Sequence, residues 1–115
     1  MRFVILAALV AALTVPAAQG AGSATTLNGT VGPGFTITLK KGSAKVSKLK
    51  AGTYKVVVSD KSTIHNFHLT GPGVNKSTSV GSTGNKTWTL KLKKGTYKYV
   101  CDPHASQMKG SFKVT

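Results

Sequence analysis

Strict alternation of apolar and polar residues is the feature that most limits how this chain can fold. Phe35, Ile37 and Leu39 alternate with threonines, and the run at 88–92 alternates apolar residues with threonine and lysine. Successive side chains of a β-strand point to opposite faces, so this pattern predicts strands with one buried face. No segment beyond residue 21 carries a helical period of useful length. Turn-forming clusters separate the runs, at 32–34, 71–73 and 81–85.

The spacing of these runs predicts an all-β fold of about seven or eight short strands. Short strands at this spacing, joined by glycine- and proline-rich turns, are typical of a Greek-key β-sandwich or a small barrel. The chain has 115 residues and contains no linker. We therefore expect a single folded domain over residues 21–115.

The first twenty residues have the pattern of a secretory signal peptide. Met1 and Arg2 precede an uncharged apolar run at 3–15, and small residues follow at 16–21. The run is shorter than the roughly 20 residues that a bilayer-spanning helix needs, although a short membrane anchor is the alternative interpretation. We expect cleavage after Gly20, with cleavage after Gly22 the next choice. The protein is then exported to the periplasm, the cell envelope or the extracellular space.

One loop near the C-terminus concentrates the soft metal ligands of the chain. The only cysteine, Cys101, is followed at short distance by His104 and Met108. Alternation places Cys101 at the end of a strand, and Pro103 should end that strand and start a tight loop. A thiolate, an imidazole and a thioether favour copper among the common metals. A single cysteine excludes an internal disulfide and any four-cysteine metal site.

A second histidine has to come from elsewhere in the chain. In the segment 64–69, alternation places His65 on the apolar face with Phe67 and Leu69, whereas His68 lies on the opposite face. His68 is therefore expected to be a surface or hydrogen-bonding residue, and an ordinary buried histidine is the alternative interpretation of His65. Two histidines, one cysteine and a weak axial methionine form a type 1 copper site. The predicted metal ligands are His65, Cys101, His104 and Met108.

The His65-Asn66 pair, the Cys101-Asp102-Pro103-His104 loop and Met108 resemble the plastocyanin/azurin family of cupredoxins. The small plastocyanin-, pseudoazurin- and amicyanin-like members are the most similar, and the general pattern covers residues 26–115. The resemblance implies that His65 binds one copper ion. It also implies that Asn66 ties the His65 strand to the cysteine loop by hydrogen bonds. His104 would carry electrons to the protein surface through an apolar patch.

The axial ligand has two candidates because loop lengths differ within this family. Amicyanin-like loops place two residues between the histidine and the methionine, and that spacing would put Gln107 in the axial position. Gln is a known axial alternative in such sites. We favour Met108, because a loop absorbs one extra residue easily and a thioether is the softer donor for copper.

The same residues define the expected function, which is that of a small one-electron carrier cycling between Cu(II) and Cu(I). The alternative is a copper carrier or storage protein of the cell envelope without redox turnover. We do not expect an enzyme, because the chain has only 3 His and 2 acidic residues. Oxidases and reductases with several copper centres need many histidines, often in His-x-His pairs, and this chain has none.

The charge of the chain indicates the kind of partner. There are 16 Lys plus Arg against 2 Asp plus Glu, a formal net charge of +14, and Arg2 is the only arginine. Such a surface favours redox partner proteins with acidic docking faces, and it could also bind anionic envelope polymers or headgroups. Nucleic acid is not expected, because export removes the only arginine and no nucleic-acid motif is present. We expect a monomer.

Overall fold

The structure, a computed structural model, describes residues 24–115 and is built almost entirely of strands. The predicted signal peptide and both predicted cleavage sites lie outside the described residues. No helix within residues 24–115 has the length and apolar character needed to cross a membrane. Ten strands follow one another along the chain: β1 (Thr25–Val31), β2 (Ile37–Lys41), β3 (Ala44–Lys45), β4 (Lys48–Leu49), β5 (Gly52–Asp60), β6 (His68–Gly71), β7 (Val74–Ser77), β8 (Gly84–Leu92), β9 (Gly95–Val100) and β10 (Lys109–Val114).

Two five-stranded sheets make up the fold. The first has the order β3-β2-β1-β5-β8 and the second the order β4-β10-β9-β6-β7. Most neighbours are antiparallel, but β1 pairs with β5 and β4 pairs with β10 in parallel. The prediction of an all-β sandwich is confirmed. The structure has more strands than the expected seven or eight because it includes two very short edge strands, β3 and β4, of two residues each.

The core lies between the sheets and is rich in stacked aromatic rings. Tyr99 stacks on Phe67 with ring centroids 5.5 Å apart, and Tyr97 stacks on Phe112 at 5.2 Å. All four side chains are buried. Because strands place alternate residues on one face, Tyr97 and Tyr99 of β9 both point inward, and Cys101 continues the same face into the core. The predicted ligand Cys101 therefore lies at the end of the aromatic core.

Two predicted strand segments are loops in the structure. Phe35 was expected to share a buried strand face with Ile37, but β2 begins at Ile37 and Phe35 is 57% exposed. The Gly32 amide donates to the Thr36 carbonyl at 3.0 Å, so the chain turns before the strand begins. Likewise β6 begins only at His68, and His65 lies in the preceding loop. Apolar and polar residues continue to alternate through both loops, so the sequence pattern does not distinguish these loops from strands.

Candidate metal centre

Three predicted ligand atoms converge at one end of the sandwich. The Nδ1 atoms of His65 and His104 lie 3.1 Å apart, and the sulfur of Cys101 lies 3.6 Å and 3.5 Å from them. His65 and Cys101 are fully buried, whereas His104 is half-buried. Among residues 24–115 this is the one cluster of three or more histidine, cysteine or acidic side chains close enough to hold a metal ion.

The dimensions of this triangle fit a transition-metal ion. The point in the plane of the three atoms that is equally far from all of them lies about 2.0 Å from each. Imidazole nitrogen and thiolate sulfur bind such metals at roughly 2.0–2.3 Å. Two nitrogens and one thiolate in a trigonal set are the equatorial ligands of a type 1 copper site. The donor set and its spacing therefore fit copper.

A tight loop between β9 and β10 positions Cys101 and His104. Residues Asp102–His104 form one turn of 3-10 helix with Pro103 in its first turn, and the His104 amide donates to the Cys101 carbonyl at 3.0 Å. Proline suits this position because it lacks an N–H and fixes its own backbone angle. The strand ends at Val100, one residue before the predicted end at Cys101, and the turn brings the imidazole of His104 back beside the thiol.

Met108 closes this loop from the other side. Its amide donates to the His104 carbonyl at 2.8 Å, and its carbonyl accepts from the Cys101 amide at 3.0 Å. The Met108 side chain is only 1% exposed, whereas Gln107 is exposed to solvent. Of the two candidates for the axial position, only Met108 is on the buried side of the loop.

Hydrogen bonds fix both ends of the loop that contains His65. The Asp60 carboxylate, at the end of β5, accepts from the Ser62 amide at 3.0 Å and from the Thr78 hydroxyl at 3.4 Å. The Thr78 hydroxyl in turn accepts from the Phe67 amide at 2.9 Å. Sequence reasoning missed Asp60 and Thr78, because nothing in their local sequence shows that they meet across 18 residues.

A reciprocal pair of hydrogen bonds joins this loop to the cysteine loop. The Asp102 amide donates to Asn66 Oδ1 at 2.7 Å, and Asn66 Nδ2 donates to Asp102 Oδ2 at 2.7 Å. Asn66 is buried, and its Nδ2 also donates to the Thr78 carbonyl at 3.4 Å. The link expected of Asn66 from the family resemblance is therefore present.

His68 lies on the outer side of Asp102 and away from the donor triangle. Its Nδ1 lies 2.9 Å and 3.1 Å from the two carboxylate oxygens, and its Nε2 lies 2.7 Å from Asn75 Oδ1. The hydrogen bonds to Asp102 and Asn75 raise the pKa of His68. Burial alone would raise the pKa of Asp102, but the hydrogen bonds from Asn66 and His68 outweigh it and the pKa is lowered. The prediction that His68 is a hydrogen-bonding residue is confirmed.

An exposed aromatic ring covers the two histidines. Phe35 stands edge-on to His65 and to His104, with ring centroids 5.1 Å and 5.0 Å away. Ile64, next to His65, is 52% exposed. These are the two large apolar side chains that residues 24–115 expose, and both lie at the metal-binding end. Phe35 therefore adds an apolar surface beside both histidines, and Ile64 exposes an apolar side chain next to His65. Sequence reasoning missed this role of Phe35 because it assigned the residue to a buried strand face.

The second ring nitrogen of His65 is also distinctive. His65 Nε2 is the one buried side-chain polar atom in the described part of the chain that lacks a hydrogen-bond partner. A neutral imidazole that binds a metal through Nδ1 carries its proton on Nε2. Packing therefore holds this ring in place: Phe35 lies against it, and Gly32 passes so close that an added Cβ would lie 3.4 Å from His65 Cδ2.

Comparison with known proteins gives a family match over most of the chain. The model of the family described as copper binding proteins, plastocyanin/azurin family, matches residues 31–115. A search of curated proteins finds no significant match.

Solved structures of rusticyanin share the fold. A structure of reduced rusticyanin is 22% identical and matches with a TM-score of 0.59, covering 81% of both chains. Another, described as a structure of the copper protein rusticyanin, is 20% identical with a TM-score of 0.59 and covers 81% of this chain and 80% of that one. Rusticyanin from Thiobacillus ferrooxidans is 23% identical with a TM-score of 0.54, covering 81% and 79%. At these identities the similarity establishes the fold.

Proposed function

Because this chain belongs to the plastocyanin/azurin family of copper-binding proteins, we propose that it is an exported one-electron carrier with a type 1 copper site. The observation that carries the proposal is the triangle of two imidazole nitrogens and one thiol sulfur with sides of 3.1–3.6 Å. His65, Cys101 and His104 are the equatorial ligands, and Met108 is the axial ligand.

The chain contributes a rigid, preformed ligand set. A copper ion held by these residues would supply the one-electron Cu(II)/Cu(I) couple, so that an electron taken from a donor partner could be passed to an acceptor partner. Backbone hydrogen bonds fix Cys101, His104 and Met108 relative to one another, and Asn66 and Asp102 fix the His65 loop against them. A ligand set that is held by the fold changes little between oxidation states, which favours fast electron transfer over loading and unloading of metal.

His104 is the ligand through which electrons leave or enter. Unlike the buried His65 and Cys101, it is half-buried and lies in a surface loop. Phe35 and Ile64 give the surrounding surface an apolar character that suits a transient partner. When a partner docks at this end, only the imidazole ring of His104 separates it from the metal.

The lysines favour partners with acidic faces. The only ion pair among residues 24–115 joins His68 and Asp102, so no described lysine is neutralised by a carboxylate. Three of the lysines, Lys45, Lys98 and Lys109, line a cavity of about 450 Å³ formed by residues of β3, β9 and β10. Long-range attraction between such a surface and an acidic protein raises the rate of encounter. Anionic envelope polymers or headgroups would be attracted by the same charge.

Export and the domain boundaries are part of this proposal. We propose that residues 1–20 are removed as a signal peptide and that residues 21–115 form the mature copper-binding domain. Expression of the full chain in a bacterium that secretes proteins, followed by mass determination of the exported product, gives the cleavage site. A product that starts at Ala21 supports the proposal, and retention of the uncleaved chain in the membrane contradicts it.

The proposed copper site is tested by spectroscopy. Addition of one equivalent of Cu(II) to residues 21–115 should give an intense thiolate-to-copper band in the visible spectrum and a narrow copper hyperfine splitting in EPR. Cys101→Ser is the matched control and should lose both. A pale Cu(II) spectrum, or one that is the same in Cys101→Ser, would overturn electron transfer through a type 1 site and leave copper carriage as the leading function.

A further inference from the structure

We propose that His68 is a positioning residue for the metal centre, acting through Asp102 and Asn66 on the cysteine loop. His68 binds no metal in this proposal, because its ring nitrogens are engaged by Asp102 and Asn75. It begins β6, where it pairs with Val100 of β9, the residue immediately before Cys101. Both the backbone and the side chain of His68 thus reach the segment that carries the thiol.

The side-chain contacts form an unbroken series from the protein surface to the ligand loops. His68 Nδ1 lies within 3.1 Å of both carboxylate oxygens of Asp102. The carboxylate accepts from Asn66 at 2.7 Å, and Asn66 accepts from the Asp102 amide at the same distance. Asn66 directly follows His65, and Asp102 directly follows Cys101. Each end of the reciprocal pair is therefore one peptide bond from a metal ligand.

The Asp102 carboxylate needs a second hydrogen-bond partner, on its solvent-facing side, to stay in place. Its side chain is 49% exposed, so water competes for its oxygens, whereas Asn66 is buried and needs the carboxylate as an acceptor. His68 holds both oxygens, and Asn75 holds the far nitrogen of His68. A buried donor that loses its acceptor carries a desolvation cost, so a displaced carboxylate would weaken the whole junction.

The first test uses the metal-free protein and is independent of the proposed function. In His68→Leu, hydrogen exchange of the Asp102 amide, followed by NMR, should become about tenfold faster, the effect expected when one hydrogen bond is weakened. Amides in the β5–β8 pairing, which lie in the other sheet, should keep their wild-type exchange rates. An unchanged Asp102 amide would overturn the proposal, as would an equal acceleration throughout the protein.

Two further variants separate positioning from a general effect on β6. In His68→Asn the side-chain amide can place a donor near the position of Nδ1, so protection of the Asp102 amide should be largely restored. Thr70→Val removes a polar group from the same face of β6 and should leave that amide unchanged. Failure of His68→Asn to restore protection, or an effect of Thr70→Val as large as that of His68→Leu, would count against the proposal.

The second test uses the copper-loaded protein and rests on the proposed function. His68→Leu should shift the reduction potential and the energy of the thiolate-to-copper band, whereas it should shift neither when Asp102 is already alanine, because His68 acts through that carboxylate. Equal shifts in the two backgrounds would overturn the proposal. If copper gives no thiolate band even in the wild type, the proposed function fails while the amide-exchange test still decides the role of His68.

Discussion

Asn66 and Asp102 exchange two hydrogen bonds of 2.7 Å across 36 residues of sequence. One uses the backbone amide of Asp102 and the other its carboxylate, so the main chain and the side chain are both fixed. The residues that precede them, His65 and Cys101, are thereby held with Nδ1 and sulfur 3.6 Å apart. The distance between the two ligand segments is therefore set before any metal binds.

Loss of this junction should destabilise the metal-free protein. Asn66→Ala leaves the Asp102 amide without its partner, and we expect the free energy of unfolding to fall by about 2 kcal/mol, the range for hydrogen bonds to charged groups. Urea denaturation measures the change. Asn28→Ala, at an exposed position of β1, is the matched control and should change the stability by less than about 0.5 kcal/mol. Equal effects of the two substitutions would contradict the role given to Asn66.

The axial position should respond to Met108 and not to its neighbour. Met108→Gln should lower the reduction potential, because an amide oxygen favours Cu(II), and Met108→Leu should raise it by removing the axial donor. We expect each shift to be at least about 60 mV, a tenfold change for a one-electron couple. Voltammetry of the copper-loaded variants measures both. Gln107→Ala serves as the control, and a shift in that variant with none in Met108→Leu would make Gln107 the axial ligand.

Phe35 should protect the centre without stabilising the fold. In Phe35→Ala the edges of both imidazoles are uncovered, so a Cu(I) chelator should remove copper about tenfold faster while the unfolding free energy changes by less than about 1 kcal/mol. Stopped-flow absorbance follows the removal. Ile64→Ala deletes a similarly exposed apolar side chain next to His65 and should leave the rate near that of the wild type. Indistinguishable rates for Phe35→Ala and the wild type would show that the ring gives no protection.

Substitution of Gly32, where the chain passes His65, should destabilise the fold. Its φ is +73°, and an added Cβ would lie 2.9 Å from the Cβ of Ser62. Gly32→Ala should therefore cost about 2 kcal/mol of stability through backbone strain and crowding. Thermal unfolding compares it with Gly34→Ala, where an added Cβ meets nothing within 4 Å. A smaller loss in Gly32→Ala than in Gly34→Ala would be inconsistent with this packing.

The His68–Asp102 pair should give the metal-free protein a defined pH dependence. The raised pKa of His68 means that its contribution is fully present below the ordinary value of 6.5 and is lost as the pH rises through the folded value. The lowered pKa of Asp102 means that its contribution is present above 3.8 and is lost as the pH falls through the folded value. The stability difference between wild type and His68→Leu should thus be largest between pH 3.8 and 6.5.

Because both side chains are partly exposed, we expect this difference to be below about 1 kcal/mol. Denaturant titrations at pH 5 and pH 8.5 measure it. A difference that grows at alkaline pH would have the wrong sign for the pair. Equal differences at the two pH values would show that packing alone distinguishes the variant.

The sequence predicted the parts of the centre that depend on local chemistry. The order of cysteine, proline, histidine and methionine within one loop is visible in eight residues. Alternation of residue types also placed His65 on the buried side and His68 on the outer side, although His65 lies in a loop and not in the predicted strand. What sequence could not supply are contacts made only by the fold. Thr78, which follows β7 in one sheet, meets Asp60 at the end of β5 in the other sheet, and no local pattern shows that contact. Phe35 leaves its apparent strand because a turn ends one residue before Ile37.

Both acidic residues of the chain are used to brace the loop of His65: Asp60 at its start and Asp102 through Asn66. Both acidic side chains are thus occupied by hydrogen bonds within the protein, and the charge of the lysines is balanced by small anions from the solution. A partner with an acidic face would displace those small anions when it docks. The resulting gain in their translational freedom would favour association, so the composition of the surrounding solution becomes part of partner recognition.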